Sequence, residues 1–388
     1  MAMHAYLDNN ATTQPAPEVV EAVAQALRED WANPSSIHRF GQQARRQIDL
    51  AREKMGQLLN CSPSELVFTS GATESNNTVL RGMLAARAPR RTILTTRLEH
   101  SAVREPAARL SEEGYNVIYL PVDIDGLVEW DPFAAAMEEH ADDIAFVAVH
   151  WINNETGAIQ PIERIGTLCR ERRVPLFSDA TQAVGKIHCD LKELPVDAVS
   201  FSAHKFHGPK GVGGLWLRSR TRMIPQMLGG PHERERRGGT ENTPGIVGMG
   251  VAAELAHQFL QTDGPQQGEA QRDRLEQGIL KAVPDAVVNS VNAPRLWNTS
   301  NIGFPPLESE ALLILLSEKG VSAAAGAACS SGSLEPSPVL LAMGVPAPVA
   351  HGSVRLSLCR YTTDAEIDHA LRVVPEVVEK LKTSMPVG

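Results

Sequence analysis

The stretch DAVSFSAHKFHGPKGVGG, residues 197–214, decides the fold. It opens as an apolar, strand-like run, delivers His204 and Lys205 at its end, and passes into a glycine-rich turn. A lysine at the end of a buried strand has left the water that normally holds its charge. Desolvation lowers the pKa of such an amine and lets it form a Schiff base with a carbonyl compound. A solvated loop lysine is the plain alternative, since lysine is seldom buried. The choice between them rests on what surrounds the stretch.

Outward from it, short apolar runs alternate with helix-like segments between about residues 65 and 217: ELVFTS, TILTT, NVIYLPV, IAFVAVHW, VPLFSDA, DAVSFSAHK and GGLWLR. Continuous β-branched and apolar runs separated by helical patterns predict a mostly parallel sheet covered on both faces, an α/β domain. Ligands of such sheets sit at the carboxyl ends of the strands. After the apolar-periodic GIVGMGVAAELAHQFL comes the polar QTDGPQQGEAQRD, a predicted boundary. The remainder, with NTSNIGF, EALLILLSEKG, GSVRLSLCRY and a closing amphipathic helix, reads as a smaller α+β domain.

A chain of 388 residues with 43% hydrophobic and 21% charged content is ordinary for a globular protein with a large core, and disorder is excluded. The net charge of −9 gives no long-range attraction to nucleic acid or anionic membrane. The one dense basic cluster, HERERRGG at 232–239, is interleaved with acids. The N-terminus lacks a signal-peptide pattern and no apolar run is long enough to span a bilayer, so a cytoplasmic protein is expected. Five cysteines, an odd number without a CxxC pair, suggest free thiols and no metal site.

The candidate residues fall where strands end. ELVFTS runs into GATESNN, where Ala72 and Thr73 open a helix whose free N–H groups suit a phosphate, or where the threonine is merely a cap. TILTT leads to Glu99 and His100, and a histidine there can stack on a planar cofactor or move a proton. Asp179 ends VPLFSDA, with Gln182 one helical turn later; an uncompensated carboxylate is costly there, unless it caps a helix or pairs with a cation such as the pyridinium of pyridoxal 5'-phosphate (PLP). Asn154, after IAFVAVHW, is placed to bond a cofactor oxygen or a substrate carboxylate, or simply to make a turn. Together with Lys205, these residues form a phosphate cradle, a stacking ring, a pyridinium acid and a Schiff-base amine on one sheet, which favours PLP. From the second domain, Arg355 suits bidentate binding of an α-carboxylate, with a structural ion pair as the competing role. Cys329, in the small-residue stretch VSAAAGAACSSGS, is the candidate nucleophile, its loop being expected to move; the other four cysteines read as inert packing.

The motifs YLDNNATT, NPSSIH, FTSGATESNN, EHSAV, NNETG, DATQAVGK, SAHKFHGPKGVG, RRGGTEN, GAACSSGSLEPS and HGSVRLSLCRYT, spanning residues 6–362, resemble those of the PLP-dependent cysteine desulfurases of the NifS and IscS type. These belong to the class V aminotransferases of fold type I. The resemblance implies a large domain over residues 13–258 with a mostly parallel seven-stranded sheet. Residues 1–12 and 259–388 would form the small domain that carries the cysteine loop.

It also implies roles. Lys205 would hold PLP, Asp179 would face the pyridine nitrogen, Gln182 the phenolic oxygen, and His100 would stack on the ring and assist proton transfer. Ala72, Thr73, Ser202 and His204 would bind the phosphate, joined by Thr240 of the partner subunit in a homodimer. L-cysteine would be converted to L-alanine with its sulfur passed to Cys329 as a persulfide, for iron–sulfur cluster assembly or other thio-cofactors. A selenocysteine lyase or a class V aminotransferase is the alternative. An acceptor such as an iron–sulfur scaffold protein is the implied partner, its docking left open because SMPVG follows the closing helix where IscS-type members carry a longer tail.

Overall fold

The computed structural model describes residues 3–326 and 335–384. Its strands are β1 (Ala5–Tyr6), β2 (Leu66–Thr69), β3 (Thr92–Thr96), β4 (Asn116–Leu120), β5 (Ile144–Ala148), β6 (Leu176–Asp179), β7 (Ala198–Ser202), β8 (Gly213–Leu217), β9 (Val287–Val288), β10 (Thr299–Gly303), β11 (Val321–Ser322) and β12 (Ser353–Ser357). β2 to β8 form one seven-stranded sheet in the order β2-β8-β7-β6-β5-β3-β4. β8 runs antiparallel to both its neighbours, and the other pairs are parallel. The mostly parallel α/β sheet expected from the apolar runs is therefore present.

Alternation along each strand divides the core between two faces. Leu66 and Phe68 of β2 pack on one side with Ile48 and Met55 of helix Arg39–Leu58 and Met249 of helix Thr243–Leu260. Val67 points to the other side, among Val79 and Met83 of helix Ala72–Ala86 and Val103 of helix Ser101–Glu112. Both faces are thus covered, as a parallel sheet requires.

A second core gathers Leu275, Ile302, Leu312, Leu356, Ile367 and Val374 around the antiparallel sheet β12-β10-β9. Ala5 and Leu7, at the start of the chain, belong to this core, and β1 pairs in parallel with β11. The N-terminal segment then turns towards the large sheet, where Thr13 N donates to His204 O at 2.9 Å.

Strands β2, β3, β5, β6 and β7 point the same way, and their carboxyl ends open on one cavity. Two close approaches let the first of these ends form. Gly71 has a φ of +154° with its Cα 2.7 Å from where a side chain on Gly213 would begin, so neither position accommodates a larger residue.

Candidate active site

The cavity encloses about 260 Å³. Ala72, Thr73, His100 and Asn154 line it from strand ends and the helices they open, and Asp179, Gln182, Ser202, His204 and Lys205 continue the wall. Arg355 reaches it from β12. Ten of the residues singled out from the sequence therefore meet in one place. Thr240 is exposed and does not line the cavity of its own chain. Cys329 lies outside the described residues.

Lys205 ends a single 3-10 turn, Ala203–Lys205, that follows β7 directly. Its Nζ donates to two main-chain oxygens of the N-terminal segment, Asn10 O at 2.7 Å and Ala11 O at 2.8 Å. Asp179 is buried at the end of β6; Oδ2 accepts from Asn76 Nδ2 at 2.7 Å and Oδ1 from Thr181 N at 3.0 Å. Among the described residues no cation pairs with this carboxylate, which leaves a buried negative charge facing the cavity.

His100 caps helix Ser101–Glu112, its Nδ1 accepting from Ala102 N at 3.1 Å. Nε2 is therefore the nitrogen left for the cavity. Burial lowers the pKa of this ring, against the opposing pull of Asp179, and the Lys205 charge adds to the lowering. His204 is pushed down to about 4, first by burial and then by Lys205. Both rings are neutral near pH 7.

At the helix Ala72–Ala86 the first amide, Ala72 N, donates to Ser202 Oγ at 2.7 Å, which ties the helix start to the end of β7. The N–H groups of a first helical turn lack partners inside the helix, so this corner suits an anion. Asn154 accepts through its main-chain oxygen from Arg355 Nη1 at 2.9 Å and Asn10 Nδ2 at 3.2 Å; among the described residues its side-chain amide has no hydrogen-bond partner. Arg355 is 1% exposed and pairs with Asp8 at 2.7 Å. Its structural ion pair is thus real, while its contact with the cavity keeps it within reach of a carboxylate.

Several lining residues carried no role in the sequence reading. Asn10 and Ala11 supply the oxygens that hold Lys205, and Asn76 sits one turn inside the helix opened by Ala72. His150, at the end of β5, shares Glu99 Oε1 through both its main-chain N and its Nδ1, each at 3.0 Å. The signal available for His150 was its place in IAFVAVHW, at a strand end like the other site residues. The four described cysteines are free and unlike a nucleophile: burial pushes the thiols of Cys61 and Cys189 up to about 12, and those of Cys169 and Cys359 in the same direction.

The cavity fits PLP on its own evidence. Four buried polar atoms of its lining residues, Asn76 Oδ1, His150 Nε2, Thr181 Oγ1 and Arg355 Nε, have no partner among the described residues, which is the mark of a polar ligand. An amine, an unpaired buried carboxylate and a helix start complete the set for an aldehyde, a pyridinium and a phosphate. Comparison with known proteins agrees. The aminotransferase class-V model matches residues 5–370. A cysteine desulfurase of Trichormus azollae is 47% identical over 98% of this chain and 94% of its own length. Cysteine desulfurase NifS of Azotobacter vinelandii is 46% identical over the same shares. Among solved structures, a NifS-like protein superposes with a TM-score of 0.89 at 37% identity, covering 98% of this chain and 100% of its own. A NifS-like protein of Rickettsia africae gives 0.87 at 27% identity, over 97% and 100%. A family match over nearly the whole length, carried by a cavity built for PLP, means that the chain belongs to the class-V aminotransferases, whose members use this cofactor.

Proposed function

We propose that this protein is a cysteine desulfurase, converting L-cysteine to L-alanine and taking the sulfur onto Cys329. The observation that carries the reading is that Lys205 and Asp179, a carboxylate with no paired cation among the described residues, line one cavity in a chain 46% identical to a NifS. Bound PLP would supply an electron-withdrawing ring able to stabilise negative charge at the substrate's α-carbon.

The chain's own residues do the rest. Lys205 is the amine that would hold the cofactor. Asp179 would keep a proton on the cofactor's ring nitrogen, its own position fixed by Asn76 and Thr181. Ala72, Thr73, Ser202 and His204 take the phosphate, with Thr240 of the partner subunit. His100 would exchange protons through Nε2, since Nδ1 is occupied. Asn154 and Arg355 bind the substrate carboxylate, the guanidinium being shared with Asp8. The transfer balances without an outside oxidant: the substrate C–S bond breaks, an S–S bond to Cys329 forms, and the thiol proton of Cys329 ends on the alanine methyl.

The same reading includes a homodimer in a reducing, cytoplasmic setting, which suits the free thiols of the four described cysteines. It includes an acceptor protein for the sulfur, for iron–sulfur cluster assembly or another thio-cofactor. It also carries forward the division into a large domain, 13–258, and a small one, 1–12 with 259–388. The test is Cys329→Ala: alanine formation from cysteine should vanish while the absorbance of bound PLP stays in place. Full desulfurase activity in that variant would overturn the proposal.

A further inference from the structure

Lys186 is a second lysine beside the cavity, and nothing in the reaction as outlined uses it. It is buried, 5% exposed, at the end of the turn that follows Gln182. Its Nζ donates to Gln182 Oε1 at 2.5 Å and to Asn10 Oδ1 at 2.9 Å. Its main-chain oxygen is held from the other side by Trp297 Nε1 at 2.8 Å. The titratable and charged groups around it are Lys205, Arg355, Cys359, His204, His207 and Arg360. Among the described residues no carboxylate pairs with it.

Both partners of Nζ are side-chain amide oxygens, so the amine donates in both contacts. Burial, with the Lys205 and Arg355 charges beside it, drives its pKa well below that of an ordinary lysine. Mere packing does not explain the amine: an apolar chain of the same length fills the space without desolvating a polar group. What an amine adds is direction.

We propose that Lys186 is a positioning residue that locks the side-chain amide of Gln182 with its NH₂ turned to the cofactor. A glutamine amide has an accepting and a donating end that sterics barely distinguish. Lys186 Nζ donates to it at 2.5 Å, so Oε1 faces inward. Nε2 then faces the cavity side, where it donates to Asn10 O at 3.0 Å, the same oxygen that Lys205 Nζ reaches at 2.7 Å. Its second N–H is free for an oxygen of the bound ring.

The inference rests on the reading that Lys205 binds PLP, and its test separates the two. The holoenzyme is titrated with acid and base while the absorbance of the bound chromophore is followed, in wild type, Lys186→Met, Gln182→Ala and the double variant. An N–H donor at the ring's phenolic oxygen favours the deprotonated chromophore, so its loss raises the apparent pKa. Lys186→Met and Gln182→Ala should each move the midpoint up by about one pH unit, and the double variant no further than either. A wild-type midpoint in Lys186→Met, a lowered one, or a shift that adds to that of Gln182→Ala overturns the inference. A colourless wild type overturns the PLP reading instead. If Lys186→Met does not fold, Lys186→Gln, one atom shorter and unable to reach both acceptors, is expected to shift the same way. An unshifted midpoint there overturns it equally.

Discussion

Single side chains in this protein carry charge states that their surroundings impose. His207 shows it outside the catalytic set. Its Nδ1 donates to Gln14 O at 2.8 Å and its ring stands edge-on to Tyr361, with centroids 4.8 Å apart. Burial first, and the Arg360 charge second, push its pKa from 6.5 down to about 4. A group depressed in the folded state takes up a proton on unfolding, so it contributes its full stability above pH 6.5 and loses it as pH falls towards about 4. His204 acts in the same window and direction. Thermal midpoints measured across that window should fall with pH, and less steeply in His207→Asn, whose residue tolerates the native φ of +70°. An identical slope in that variant would show that the ring is not held neutral.

At the scale of elements, the basic cluster at 232–239 has a structural purpose that its composition concealed. Glu233, Arg234 and Glu235 have φ values of +46°, +56° and +64°, one turn of left-handed backbone without a glycine. Such residues are strained by about 1–2 kcal/mol each. The turn is pinned by Glu233, which pairs with Arg52 at 2.7 Å and accepts from Phe68 N at 2.9 Å, inside the large core. Glu233→Ala should destabilise the fold by about 3 kcal/mol or more in denaturant unfolding, because it leaves the Arg52 guanidinium buried and unpaired. Glu235→Gly, which only relieves strain, should stabilise by about 1 kcal/mol or less. These opposite signs distinguish the anchor from the strain it holds.

The elements also mark where sequence reading succeeds. Each apolar run between 65 and 217 became a strand of the large sheet, and Lys205, Asp179, His100 and Ala72 were found because a strand end is legible as the point where an apolar run stops. The strand order and the reversed direction of β8 were not legible, since pairing partners leave no periodic trace. The role of Asn10 escaped for the same reason: its side chain bonds Asn154, Thr299 and Lys186, at sequence separations of 144, 289 and 176.

In the whole molecule, Asn10 is the point where the two cores meet Lys205. Its amide donates to Asn154 O from the large sheet's side and to Thr299 Oγ1 on β10, while its Oδ1 accepts from Lys186 and Asn298. Asn10→Ala strips partners from several buried groups at once and should cost about 2 kcal/mol of stability, read from the denaturant midpoint of the full chain. An unchanged midpoint would mean that water replaces the amide without loss.

The two oxygens that receive Lys205 Nζ belong to the main chain at positions 10 and 11. Every amino acid carries that oxygen, so no point substitution can delete it. Drift at either position can loosen the segment or reshape the cavity wall, yet the resting place of the Lys205 amine is inherited with the peptide backbone itself.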